Sequence, residues 1–167
     1  FQLDPEVLKR RLIGGEFDLV VIVNPNSPTG RHLPRHQLEA IIEAAPRNTR
    51  FWIDETYIDY AGEDQSLERF AGHRENVVVC KSMSKAYALS GVRSAYLCAS
   101  PVLLEGLRAL TPPWAVSLPG QVAAVKALED PVIREVAADA LIRIGAPVAS
   151  VVLKARDHKD VQVKIVA

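Results

Sequence analysis

The residues with the clearest chemical potential lie in the stretch CKSMSKAYALSGVR, residues 80–93. Lys85 stands between Ser84 and Ala86, with Ser82 before it and Gly91 and Arg93 after it. A primary amine forms an imine with an aldehyde, and the flexible lysine stem lets it swing away and return. To attack, the amine must lose its proton at least in part, so such a lysine requires a pocket that lowers its pKa. Arg93 is a permanent cation whose planar fork grips a phosphate. Ser82 and Ser84 offer hydroxyl donors to the same group, and Gly91 is expected to let the chain turn and approach closely. Together they describe an anion site beside a reactive amine.

A second set lies in WIDETYIDYAG, residues 52–62. Asp54 closes an apolar strand, where a carboxylate is costly to bury unless it meets a positive partner. A protonated pyridine nitrogen is such a partner, while capping of the following turn is the plainer use of the same carboxylate. Tyr57, three residues on, could reach a phenolate oxygen on that ring. Asn24, Asn26 and Ser27, in the loop NPNSPTG, could do so from a neighbouring strand end, or could simply shape the turn.

These residues need elements to hold them. DLVVIV (18–23) is a β-branched apolar run that reads as a strand buried on both faces. Leu38, Ile41, Ile42 and Ala45 recur at helical spacing in 33–45, with Pro34 suited to a first turn. RFWID, NVVVC and SAYLCA (50–54, 76–80 and 94–99) read as three more strands, and 100–110 as a helix capped by Ser100 with Pro101 at its first position. This rhythm predicts an α/β sheet covered by helices, with the chemistry on the loops beyond the strands' carboxyl ends.

Bulk properties narrow the function classes. The 167 residues are 49% hydrophobic, enough to build a core. Twenty basic residues balance twenty acidic ones, which argues against a broad nucleic-acid or membrane-surface binder. No apolar run approaches a membrane span. Cys80 and Cys98 read as two reduced, buried thiols of a cytoplasmic protein. His32, His36, His73 and His158 show no metal pattern and read as surface residues, so no metal is expected. Residues 63–70 read as a solvated helix, Tyr60 and Trp114 as packing residues, and Tyr87 as either core or site. The opening FQLDPEVLKR lies already inside a helical pattern, which suggests a fragment of a longer protein.

NPNSPTG, DETY and SMSKAYALSGVR, in that order, resemble the successive motifs of the fold-type I aminotransferases that use pyridoxal 5'-phosphate. The likeness is greatest to the branch of histidinol-phosphate aminotransferases and threonine-phosphate decarboxylase, and covers about residues 1–130. It implies a three-layer α/β sandwich with a mostly parallel sheet, here a partial large domain, and a parent homodimer. It also implies that Lys85 holds the cofactor as an imine and carries a proton once freed. Asp54 would pair with the pyridine nitrogen and Tyr57 would bond the ring oxygen. Ser82, Ser84 and Arg93 would hold the phosphate. Ser27 stands where the family places an asparagine before PTG, so Asn26 or Ser27 is the expected ring contact. The reaction implied is transfer of an amino group from an amino acid or amino phosphate to a keto acid. A decarboxylase on the same scaffold is the alternative, since the segments that would fix the substrate are absent.

Beyond Asp130 the sequence changes character. Asp130, Ile133, Arg134, Val136 and Ala137 recur thirty positions on as Asp160, Val163, Lys164, Val166 and Ala167. This predicts an α-helical tail over 131–167 that resembles HEAT-type repeats and offers a third reading, a module that binds other proteins.

Overall fold

Asp4 starts the first helix by accepting from the backbone N–H groups of Glu6 and Val7 at 2.9 and 3.2 Å. Pro5 occupies the first position of this helix, α1 (Pro5–Gly14), because it has no N–H to satisfy there. The computed structural model describes residues 4–112, 114–129 and 164–166. In chain order it continues with β1 (Leu19–Val23), α2 (Arg35–Ala44), β2 (Arg50–Asp54), α3 (Glu68–Gly72) and β3 (Val77–Ser82). Then come β4 (Ala95–Cys98), α4 (Pro101–Leu110), α5 (Leu118–Glu129) and β5 (Lys164–Val166). Pro34 sits one step before α2 as its cap, and Ser100 caps α4 by accepting from Leu103 N–H.

The strands lie side by side in chain order. β1, β2 and β3 are parallel, while β4 and β5 pair antiparallel, so the sheet is mixed and the α/β class holds. Parallel pairing stops at β3 for a physical reason. A parallel return needs a crossover, usually helical, and residues 83–94 form a loop that turns straight back into β4.

The pleat sends alternate residues to opposite faces. Val77, Val79 and Cys98 pack under Leu12 of α1, Leu38, Ile41 and Ile42 of α2, and Ala71 of α3. Val78 and Leu97 pack on the other face against Leu103, Leu104 and Leu107 of α4. Helices therefore cover both faces, in three layers.

Several expectations need correction. β1 is the edge strand of the described sheet, and α4 packs over Val78 and Leu97 rather than over β1, so Leu19 and Val21 stay exposed and the strand is not buried on both faces. Residues 63–70 are not a solvated helix: Leu67 is fully buried there and Glu68 is tied into the interior. Trp114 is 88% exposed and packs no loop. Cys98 is buried and Cys80 only half-buried; both thiols are free, and burial pushes them up to about 12 and about 11. Of the expected helical tail, residues 131–163 and 167 lie outside the described residues, while 164–166 form a strand. No helix among the described residues is long and apolar enough to cross a membrane.

Candidate functional site

Three parallel strands end together. Val23 lies beside Asp54, and Asp54 beside Cys80, so the loops after β1, β2 and β3 leave one edge of the sheet. Backbone bonds extend the ladder past the strands: Asn24 N–H donates to Asp54 C=O at 2.9 Å, and Glu55 N–H to Cys80 C=O at 2.8 Å. Ser82 N–H then donates to the Thr56 hydroxyl at 3.2 Å. These links bring Asn24, Asp54 and Ser82 onto one edge.

The loop after β1 is closed on itself. Asn24, 2% exposed, donates from Nδ2 to Leu33 C=O and accepts Leu33 N–H on Oδ1, at 2.9 and 2.7 Å. Asn24 therefore shapes the turn. Asn26 Nδ2 donates to the Thr29 hydroxyl at 2.7 Å, and Gly30 turns the chain with φ +67° so that its N–H reaches Asn26 C=O. Ser27 is exposed. Asn26, Ser27, Pro28 and His32 face Tyr57 and Tyr60 across an open cleft of about 790 Å³. The two tyrosine rings are 6.1 Å apart. Tyr60 lines this cleft, and burial, with Asp59 and Tyr57 nearby, raises its phenol pKa. His32 is not a plain surface residue: its Nε2 is buried without a hydrogen-bond partner, and burial lowers its pKa against the pull of Asp64. His36 and His73 are exposed, and His158 lies outside the described residues.

Asp54 is half-buried, and its Oδ1 accepts Thr56 N–H at 2.9 Å. One carboxylate oxygen thus caps the turn, which leaves the other available to a ligand. After β3, Ser82 and Ser84 face each other with hydroxyl oxygens 2.8 Å apart. Met83 between them is fully buried against Tyr87, Tyr96, Ala124 and Ala127. Its N–H donates to Ser94 C=O and its C=O accepts Leu89 N–H, so the loop is pinned at its base. Lys85 stands exposed beyond that anchor, with its C=O closing a turn on Ala88 N–H. Tyr87 is buried and belongs to the core beneath.

Gly91 does not make the turn. It lies in an ordinary 3-10 segment with open space around it, and the left-handed residues are Ala88 (φ +54°) and Arg93 (φ +53°). Arg93 is exposed and its Nη1 donates weakly to Ser90 C=O at 3.4 Å, not to the serine pair. The structure thus brings Asp54, Thr56, Ser82 and Ser84 together. It gathers Asn26, Ser27 and Tyr57 around the cleft, and leaves Lys85 and Arg93 extended on the third loop.

Sequence reasoning missed a buried cluster directly beneath these residues. Lys81, 4% exposed, places its Nζ 2.8 Å from Glu68 and 3.9 Å from Glu55. Glu55 is wholly buried and accepts the Ser66 hydroxyl and Leu67 N–H at 2.6 and 2.7 Å. Tyr96 donates to Glu68 at 2.7 Å. Burial alone would lower the Lys81 pKa, but Glu68, Asp59 and Glu55 more than offset it and hold the amine protonated. Burial raises Glu55 to about 7 against the opposing pull of Lys81. At these distances Lys81–Glu68 is the ion pair proper, and Glu55 lies farther from the ammonium. A signal for the cluster exists in the sequence: in VVVCKS, Lys81 falls on the face of Val77 and Val79.

The family model for aminotransferase class I and II matches residues 1–144. The chain belongs to that family. Among curated aminotransferases, it is 38% identical to histidinol-phosphate aminotransferase 1 of Cupriavidus pinatubonensis over 120 residues, 71% of this chain and 32% of that protein. It is 36% identical to the aromatic amino acid aminotransferase of Rhodococcus erythropolis over 110 residues, 66% of this chain and 31% of that protein. The chain thus spans about a third of the length of these relatives. Histidinol-phosphate aminotransferase of Sinorhizobium meliloti, solved in complex with pyridoxal-5'-phosphate, superposes with a TM-score of 0.73 at 29% identity. That match covers 85% of this chain and 40% of that one.

Proposed function

We propose that this chain carries the cofactor-anchoring part of a pyridoxal 5'-phosphate-dependent aminotransferase, with Lys85 as the covalent attachment residue. The observation that carries the reading is the shared edge of β1, β2 and β3. There a carboxylate leaves the end of β2, a hydroxyl pair and an exposed lysine leave the end of β3, and the Asn26–Ser27 loop follows β1. The donor set fits the cofactor's chemistry. Asp54 offers a carboxylate oxygen to a ring nitrogen, and Asn26, Ser27 and Tyr57 border the cleft where a ring oxygen would be met. Ser82 and Ser84 offer hydroxyls to a phosphate, and Arg93 a guanidinium with two prongs to turn onto it. Bound there, the cofactor would supply an aldehyde and an electron-accepting ring.

The chain's own residues divide the remaining work. With the cofactor bound, Lys85 Nζ would be the group that holds it covalently and, when free, would carry a proton to and from the substrate's α-carbon. Asp54 would face the ring nitrogen and favour its protonated form. The buried Met83 fixes the base of the loop, so that Lys85 moves by its side chain while the backbone stays in place. The likeness to histidinol-phosphate and aromatic amino acid aminotransferases supports an amino acid or amino phosphate as donor; a keto acid as acceptor and a homodimeric, cytoplasmic parent are part of the same proposal.

The test is reductive trapping. Pyridoxal 5'-phosphate is added to the folded chain, the mixture is reduced with borohydride, and the labelled peptides are mapped by mass spectrometry. A pyridoxyl group confined to Lys85, lost in Lys85→Arg, is expected. Label scattered over other lysines, or none at all, would overturn the assignment.

A further inference from the structure

The site residues and the buried cluster alternate along the same two segments. Asp54 precedes Glu55, and Lys81 precedes Ser82. By the pleat, Lys81 and Glu55 turn into the interior while their neighbours turn away from it. Among the described residues, Lys81 is the cation that stands amid Glu55, Glu68 and Asp59, and its interactions reach the β2 loop, the start of α3 and, through Tyr96, β4. Glu55 in turn reaches Ser66 and Leu67, so the cluster spans four segments of chain with charge-assisted bonds. The strand ends above it are joined more weakly, by Glu55 N–H to Cys80 C=O and Ser82 N–H to the Thr56 hydroxyl.

We infer that Lys81 is a positioning residue for the cofactor site: its ammonium holds the 54–57 segment in fixed register with the 82–85 segment. It touches neither cofactor nor substrate and acts through Glu55 and Ser82. The inference rests on the assignment of Asp54, Ser82 and Lys85 to one site. A buried ion pair is weak evidence for stability in itself, because apolar residues often replace it without loss. Geometry is what such a pair confers, and a displacement of an ångström at a site costs up to about a hundredfold in rate.

The test compares wild type with Lys81→Met and Lys81→Arg, well below their melting temperatures. Cofactor affinity is read from absorbance, label at Lys85 from borohydride trapping, and register from amide hydrogen exchange without cofactor. Lys81→Met is expected to weaken affinity by about tenfold or more. It should also speed exchange at Glu55 and Ser82 while Phe51 and Val79 keep their protection. Lys81→Arg restores both. A folded Lys81→Met with unchanged affinity and unchanged exchange would overturn the inference and leave the site assignment standing. Wild type without label at Lys85 would overturn the site assignment and the inference with it. Should Lys81→Met not fold, Glu68→Gln keeps the shape and removes the charge at 2.8 Å. It must then show the same paired changes, in smaller degree, for the inference to stand.

Discussion

The two sides of the β2 and β3 strand ends are built on opposite terms. Beneath, Lys81, Glu55 and Tyr96 are buried, Glu68 and Ser66 partly so, and they meet one another's donors and acceptors within the chain. Above, Asp54 is half-buried with one oxygen engaged, Ser82 and Ser84 bond each other, and Lys85 and Arg93 extend into solvent. The lower group completes itself and fixes geometry. The upper group keeps spare bonding capacity, which is what recognition of a ligand demands. Titratable residues a single position apart in the chain therefore serve different ends, and the pleat decides which.

The sharpest way to break this contrast is to remove the central cation. Lys81→Met takes the ammonium away from the buried Glu55 and the partly buried Glu68, and is expected to lower stability by about 3 kcal/mol, the low end of the cost of breaking a buried pair. Denaturant melts with and without the compensating Glu68→Gln measure it. Recovery of most of the loss in the double variant is expected, since the two groups act on each other. Full additivity of the two losses would show that the pair is not coupled.

A smaller effect follows pH. Glu55 has a folded pKa of about 7 against an ordinary 4.5, mainly because burial disfavours its charge, with Lys81, Ser66 and Leu67 opposing and Glu68 reinforcing. The folded state therefore binds the proton more tightly than the unfolded chain. The stability that this proton confers is fully present below pH 4.5 and is lost as pH rises to about 7. Glu55→Gln is expected to flatten that decline in chemical melts across the same window while leaving the Lys81–Glu68 pair in place. An identical slope in the variant would assign the decline to other groups.

Much of the fold was legible because periodicity and caps are local. RFWID predicted β2 residue for residue, and Ser100 with Pro101 predicted the start of α4. The order of the three loops on one edge was legible for the same reason. What was not legible depended on distant neighbours. β1 carries the same apolar pattern whether it lies in the middle or at the edge of a sheet, so its exposed face at Val21 could not be read. Lys81 looks like any strand-end lysine until α3 brings Glu68 to it, and Glu68 looks solvated until β3 is beneath it. Asn24, Asn26 and Ser27 stood as equals by type; only the pairing of Asn24 with Leu33, nine residues on, separates them.

The smallest predicted effect separates strain from recognition within the upper group itself. Arg93 and Ala88 both hold left-handed backbone, which costs a side-chain-bearing residue about 1 kcal/mol. Glycine at either position relieves that strain, so Ala88→Gly and Arg93→Gly are each expected to hold or slightly raise the melting temperature. The two must then diverge. Ala88→Gly removes only a methyl group and keeps cofactor affinity. Arg93→Gly removes the guanidinium and weakens affinity, most strongly at low ionic strength, where a charge–phosphate contact is least screened. Equal affinity in the two variants would mean that Arg93 serves the turn alone. The anion grip would then fall to Ser82 and Ser84, whose hydroxyls the buried cluster holds in place from below.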